Sequence, residues 1–432
     1  MKILLENACI LPVTGQDAFI GQGYLIIEEA MIKEVGKGQA PQGSYDKVID
    51  ARNKILMPGF VNTHTHAAMT LMRGYADDLP LMEWLEHKIW PLEAMLTAED
   101  VYWGSMLAIL EMIKSGTTTF NDMYFFMEET ARAVQETGIR AVLARGLIGV
   151  GPGAESGLEE SRELIEKWHR AADERINFRL GPHAPYTCPP EYLKRVIALA
   201  REYSVGIHTH ISETKGELED IQRQYGKTPV ELMEEAGLFE IPTIAAHCVH
   251  LTPSDISILK DHDVGVAHNP ESNMKLASGI APVPELLAAG ISVALGTDGA
   301  SSNNNLDMLQ EMRTCALLHK VNTMDPTVLP AYQAVEMATA YGARALGLDN
   351  ETGRLQAGLK ADLILISLDQ PHMQPVHDAV ANIVYSAQAS DVDTVIINGK
   401  VIMENRKIST FDEKLVLKQA EQAARKLAAR IS

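Results

Sequence analysis

At 432 residues the chain is long for one domain and suits a barrel of roughly 250 residues beside a smaller unit. With 46% hydrophobic and 22% charged residues it reads as ordinarily globular, and a formal net charge of −19 argues against a nucleic-acid polyanion as its partner. The apolar start Met1–Leu5 is broken at Glu6 and Asn7, and no stretch reaches the roughly 20 apolar residues of a membrane span; the four cysteines show no Cys-x-x-Cys spacing, so the cytoplasm is the expected location.

Residues 1–57 read as short strands and turns: Ile3–Ile10, Gly23–Glu28, Met31–Val35 and Lys47–Asp50, broken by Gly, Pro and Asn. From Pro58 the rhythm changes. Apolar runs over Gly59–His64, Thr117–Asp122, Arg140–Gly146, Asn177–Gly181, Val205–His210, Thr243–His247, Val264–His268 and Ile291–Leu295 predict strands. Between them, apolar residues recurring at three and four predict helices over Thr97–Lys114, Glu128–Thr137, Leu158–Arg175, Pro190–Tyr203, Pro229–Ala236, Thr252–Lys260 and Pro282–Ala289. Repeated β-then-α units predict an α/β protein with a (β/α)8 TIM barrel.

Helical patterns over Asn305–Leu318 and Ala331–Leu346 follow, and then β character returns at Asp362–Leu368, Val380–Ser386, Thr394–Ile397 and Val401–Glu404. Asn398-Gly399 between the last two is a two-residue hairpin signal. The simplest account joins 1–57 and 357–432 in one discontinuous, β-sandwich-like domain beside a barrel over 58–356. Phe411–Ile431 reads as a closing amphipathic helix.

In such barrels chemistry sits at the C-terminal ends of the strands. Those ends carry His64 and His66, Asn121-Asp122, Arg145, His183, His208, His210 and Glu213, His247 and His250, His268, and Asp298. Side chains alternate along a strand, so His64 and His66 face the same way. With His210 and Asp298 they supply nitrogen and oxygen donors for one divalent metal ion, zinc first, with iron or manganese as alternatives. A bound ion lowers the pKa of water towards roughly 7. Asp298 could both touch the metal and take a proton from that water. Glu213, three residues past His210, suits a proton shuttle, and His247 suits steadying the charged intermediate. His208, His250, His268 and Asp122 read as packed supporting groups. His87, His169, His262, His319, His372 and His377, off the strand ends, read as surface residues.

With Pro-Gly-Phe-Val-Asn-Thr-His-Thr-His at 58–66, His-Thr-His-Ile-Ser-Glu at 208–213 and Gly-Thr-Asp-Gly at 296–299, the chain resembles the amidohydrolase superfamily in its cytosine deaminase and chlorohydrolase-like branch. That branch is mononuclear and lacks a bridging carboxylated lysine; Gly181-Pro182-His183 here carries no lysine. The stretches 73–85, 89–93 and 268–279 are similar to the 5′-methylthioadenosine/S-adenosylhomocysteine deaminases. The resemblance implies hydrolytic deamination of 5′-substituted adenosines, or of adenosine, to inosines and ammonia. It implies that Glu93 holds the ribose hydroxyls, that Arg145 and His183 contact the sugar, its 5′ substituent or the purine, and that the chain self-associates. Some relatives carry a second arginine about a dozen residues beyond Arg145; here that region is Ala154-Glu155-Ser156-Gly157. Two alternatives stand beside this: a related hydrolase of guanine, a pterin or a triazine, and a catalytically inactive scaffold. The substrate is a small molecule in the first two readings, with no nucleic acid or membrane involved.

Overall fold

The computed structural model describes residues 1–151 and 153–431; Pro152 and Ser432, which fall within the two expected domains, lie outside the described residues. Eight strands, Phe60–Thr65, Thr117–Tyr124, Arg140–Leu147, Ile176–Pro182, Ile207–Ile211, Thr243–His247, Gly265–His268 and Val293–Leu295, follow one another in chain order around one sheet. All their pairings are parallel. Strands covered on both faces need apolar or satisfied residues throughout, and the first two are buried at every position.

Side chains hold the seam between strands eight and one. The Asn62 amide donates to Thr297 Oγ1 at 2.8 Å and accepts from the Thr297 backbone N–H at 3.0 Å. Thr63 Oγ1 donates to Leu295 O at 2.8 Å, and Asp298 N–H donates to His64 O at 2.9 Å. The last bond brings Asp298 beside His64, although 233 residues lie between them in the chain (298 − 64 − 1).

Most expected helices form where the periodicity placed them. Thr97, Thr228 and Thr252 close capping boxes at three of their N-termini. The stretch expected to be helical to Arg175 ends at Trp168, and Arg170 turns left-handed at φ 63°. Ala331–Leu346 divides into Ala331–Ala338 and Ala340–Ala345 at Thr339, which leaves helical geometry at φ −135° and ψ −89°. Val380–Ser386, expected as a strand, is instead the helix Ala379–Tyr385. Asp378 accepts the N–H groups of Val380 and Ala381 at its start, and Ile383 and Val384 turn inward. An apolar run this short has no period that separates strand from helix.

The other sheet has nine strands. Five come from residues 2–58 and four from 363–408. Leu363–Ser367 pairs antiparallel with Lys54–Pro58, just before the chain enters the barrel. Asn398 (φ 50°) and Gly399 (φ 73°) make the expected tight turn, both left-handed. Ile3, Leu5, Ile27, Leu56, Leu363 and Ile396 give this sheet a core of its own. One polar link to the barrel is buried: Arg140, opening strand three, donates to both oxygens of Asp362 at 2.7 and 3.3 Å, and neither side chain is exposed.

Candidate active site

The strand ends bring His64, His66 and His210 together, and each ring is anchored through Nδ1. His66 Nδ1 lies 2.6 Å from Met123 O, and His210 Nδ1 lies 2.7 Å from His183 O. A carbonyl only accepts, so both Nδ1 atoms carry the proton and both Nε2 atoms present a lone pair. His64 Nδ1 sits 2.7 Å from Nε2 of His208, which is a packed supporting group. The Nε2 atoms of His66 and His210 are 3.3 Å apart. Asp298 Oδ1 lies 3.3 Å from Nε2 of both His64 and His66.

The backbone of Asp298 is left-handed, at φ 61°. Gly299 N–H holds its Oδ1 at 2.8 Å, and the hydroxyls of Ser272 and Ser302 hold Oδ2 at 2.6 and 3.0 Å. The approach needs a glycine at 296. A Cβ there would sit 2.8 Å from the backbone nitrogen and Cβ of His64 and 2.5 Å from Asn269 Oδ1.

These groups fit a divalent ion. His64 Nε2 is wholly buried with no hydrogen-bond partner among the described residues, and it shares its surroundings with two imidazole nitrogens and a carboxylate oxygen. Burial holds His64 at about 4 and His210 well below the usual histidine range, so both are neutral at pH 7, as metal ligands must be. Burial alone would raise the Asp298 carboxyl, but the imidazoles of His64, His66 and His247 around it outweigh that and hold Asp298 well below its ordinary value.

Beside this point opens a cavity. Glu93, Glu213, His183, His247 and Asp298 line it, with Trp84, Trp90, Phe125 and Tyr186 among its aromatic walls. The mix of apolar and aromatic wall with a few polar groups suits a heterocyclic, sugar-bearing ligand. Ser212 and His247 are both left-handed, at φ 54° and 72°, and Glu213 Oε2 lies 3.8 Å from His247 Nε2. Asn273 Oδ1 holds His247 Nδ1 at 2.9 Å. Burial lifts the Glu213 carboxyl above its ordinary value. Burial would depress His247, but the charges of Glu213 and Asp298 raise it. Burial also pushes Glu93 up to about 7, and the Tyr124 hydroxyl approaches that carboxylate without closing a well-formed hydrogen bond.

Residues 55–402 match the profile of the Amidohydrolase family. The chain belongs to the amidohydrolase family. It is 67% identical over 428 residues, 99% of each chain, to a Syntrophomonas wolfei protein named 5-methylthioadenosine/S-adenosylhomocysteine deaminase. It is 50% identical over 432 residues, covering 100% of this chain and 99% of the other, to a Methanosarcina mazei protein named 5′-deoxyadenosine deaminase. Among solved structures, an adenosine deaminase from Xanthomonas campestris with bound zinc superposes with a TM-score of 0.94 at 35% identity, over 99% of this chain and 98% of that one.

In this amidohydrolase Arg145 does not line the cavity. Its Nε donates to Glu160 Oε2 at 2.9 Å, and its guanidinium lies 5.2 Å from the Phe125 ring centre, behind the cavity wall. His250 bonds Ser278 O at 2.7 Å, and Asp122 accepts from Thr65 and from Ala67 N–H. His319, expected at the surface, is wholly buried against His268, because its helix turns that face inward. Sequence reasoning missed Ser272, Asn273 and Glu217. The first two lie inside the stretch 268–279 and were visible only as part of that motif.

Glu217 had one signal, the pattern Thr214-x-x-Glu217 that opens a helix. Thr214 does cap Lys215–Tyr225, but the Glu217 carboxylate reaches back to the N–H groups of Ser212 and Glu213, at 3.0 and 2.8 Å. It thereby holds the turn that presents Glu213. Burial pushes Glu217 from 4.5 up to about 7, against those two bonds. A raised carboxyl makes the folded state hold the extra proton, so its contribution to stability is full below about 4.5 and is lost as pH rises through about 7. Glu217→Gln is expected to flatten the fall in urea midpoint across that window. Identical pH profiles in the two proteins would contradict this.

Proposed function

We propose that this amidohydrolase deaminates adenosines bearing a 5′ substituent, such as 5′-methylthioadenosine, S-adenosylhomocysteine or 5′-deoxyadenosine, to the matching inosines and ammonia. One observation carries the reading: Glu93, Glu213 and Asp298 open with the histidine cluster onto a single aromatic-walled cavity. The names of relatives at 67% and 50% identity support it.

His64, His66, His210 and Asp298 would hold one divalent ion. Zinc is favoured, as in the Xanthomonas campestris structure, with iron or manganese as alternatives. Bound there, the ion supplies Lewis acidity that acidifies water at the strand ends. Glu213, whose carboxyl burial raises above its ordinary value, donates a proton to N1 of the purine and makes C6 electrophilic. Asp298, kept ionised, accepts a proton from the water and passes it to the departing amine. A C6–O bond forms and the C6–N bond breaks; one hydrogen of the water ends on ammonia, and the other returns to Glu213, whose own proton stays on N1. His247, raised by its two carboxylate neighbours, donates to the developing oxyanion. Glu93 accepts the ribose hydroxyls, and His183 contacts the sugar or the purine. Arg145 contacts the 5′ substituent only when its pair with Glu160 opens; otherwise it braces Phe125.

The reading is tested by ammonia release from a panel of 5′-substituted adenosines, adenosine, adenine and guanine. Turnover of the nucleosides is expected, and none with any adenosine would overturn the proposal. Glu93→Ala is expected to cut kcat/KM on nucleosides by about 10- to 100-fold, the worth of hydrogen bonds to a charged group, and to leave free adenine unaffected. Equal losses on nucleoside and base would remove Glu93 from ribose recognition.

A further inference from the structure

Strand seven ends in His268, and the helix Met308–Thr323 packs Cys315 and His319 towards it, four residues apart and so on one face. All three side chains are fully buried. The two Nε2 atoms lie 3.2 Å apart, and one ligand atom from each of the three residues falls within 4.8 Å of the others. None of them belongs to the catalytic cavity lining.

Hydrogen bonding explains only half of this arrangement. One proton can be shared between the two Nε2 atoms, but Nδ1 of both rings is buried with no partner among the described residues. We propose that His268, Cys315 and His319 form a second metal site, which takes a thiophilic d10 ion through two imidazole nitrogens and one thiolate.

The chemistry of the three groups agrees. Burial holds His319 at about 4 and His268 well below the usual range, so both keep a free lone pair at neutral pH. Burial also pushes the Cys315 thiol well up, so it remains a thiol unless a metal displaces its proton. On binding, the S–H proton leaves to solvent and a metal–sulfur bond forms, with no change of oxidation state. A cuprous ion with one thiolate is neutral and suits a buried site. Zinc with one thiolate carries one positive charge, and Glu311, buried one turn before Cys315 and felt by its thiol, can offset it by ionising. Either ion would tie strand seven to the helix behind it.

Two arms separate the ions. In the first, the full-length protein is expressed in cobalt-supplemented medium. A second equivalent of Co2+ and a near-ultraviolet thiolate-to-cobalt band are expected, since the donors at the catalytic point are nitrogen and oxygen only. In the second, the protein is loaded anaerobically with Cu+ against a competing chelator. Cys315→Ala is expected to lose the second equivalent and the band while keeping the first equivalent and deaminase turnover, which also reports its fold; Cys315→Ser repeats the test without enlarging the site. A Co2+ band dependent on Cys315 assigns a divalent ion, and a Cys315-dependent cuprous equivalent assigns Cu+. If wild-type protein shows neither, or the sulfur signal survives Cys315→Ala, the proposal is overturned.

Discussion

Glu213→Gln is expected to lower turnover by about 10²- to 10⁴-fold, the usual worth of a placed general acid, or roughly 3–5 kcal/mol of barrier. Glutamine keeps the size and much of the polarity of the side chain but cannot deliver a proton to N1. The change should be selective. Glu213 is not among the groups proposed to hold the ion, and the clamp from Glu217 acts on its backbone N–H, which the substitution leaves in place. Metal content by elemental analysis and the urea midpoint should therefore match those of the parent. Near-normal turnover would remove Glu213 from the proton path. A loss of metal together with activity would recast it as a structural support.

Asp362→Asn is expected to destabilise the protein by about 3–5 kcal/mol, because it takes the close carboxylate from a buried guanidinium and leaves Glu351, at 3.7 Å, as its nearest counter-charge. Arg140 and Asp362 are both wholly buried, so solvent does not soften the loss. Asp362 also accepts the Asn398 N–H at 2.6 Å, and Arg140 also donates to Glu174 O at 3.1 Å, so the pair joins the start of strand three to the nine-stranded sheet. The double change Arg140→Met with Asp362→Leu, which removes both charges, should recover most of the stability. Urea unfolding of the three proteins measures this, and kcat of the folded fraction should stay near the parent's since neither residue lines the cavity. A single variant as stable as the parent would show that the pair contributes little.

Much of the site was legible before folding because parallel strands leave a plain trace. Each is a short apolar run, and polar residues stop it where it reaches the barrel rim. That rule alone put His64, His66, His210, Glu213, His247 and Asp298 at strand ends, where they now lie. It failed where local pattern underdetermines the answer. Val380–Tyr385 is apolar enough for either element, and the Asp378 cap made it a helix. Arg145 does sit on its strand, but nothing nearby in the chain foretold that Glu160, fifteen residues on, would draw its guanidinium out of the cavity. His319 looked like a surface histidine because its burial depends on which face of a helix meets strand seven.

By itself the sequence determined the alternation of strands and helices, the residue types at the rim and the motifs that mark the family, all of which depend on neighbours within a few positions. Only the tertiary structure decided which rim residues meet. Barrel closure through Asn62 and Thr297 carries Asp298 onto His64, and the Nδ1 anchors of His66 and His210 set which nitrogen faces inward. It also decided the charge state of each group. Burial raises Glu93, Glu213 and Glu217, and imidazoles from distant strands lower Asp298, although all four would titrate within a narrow range in the unfolded chain.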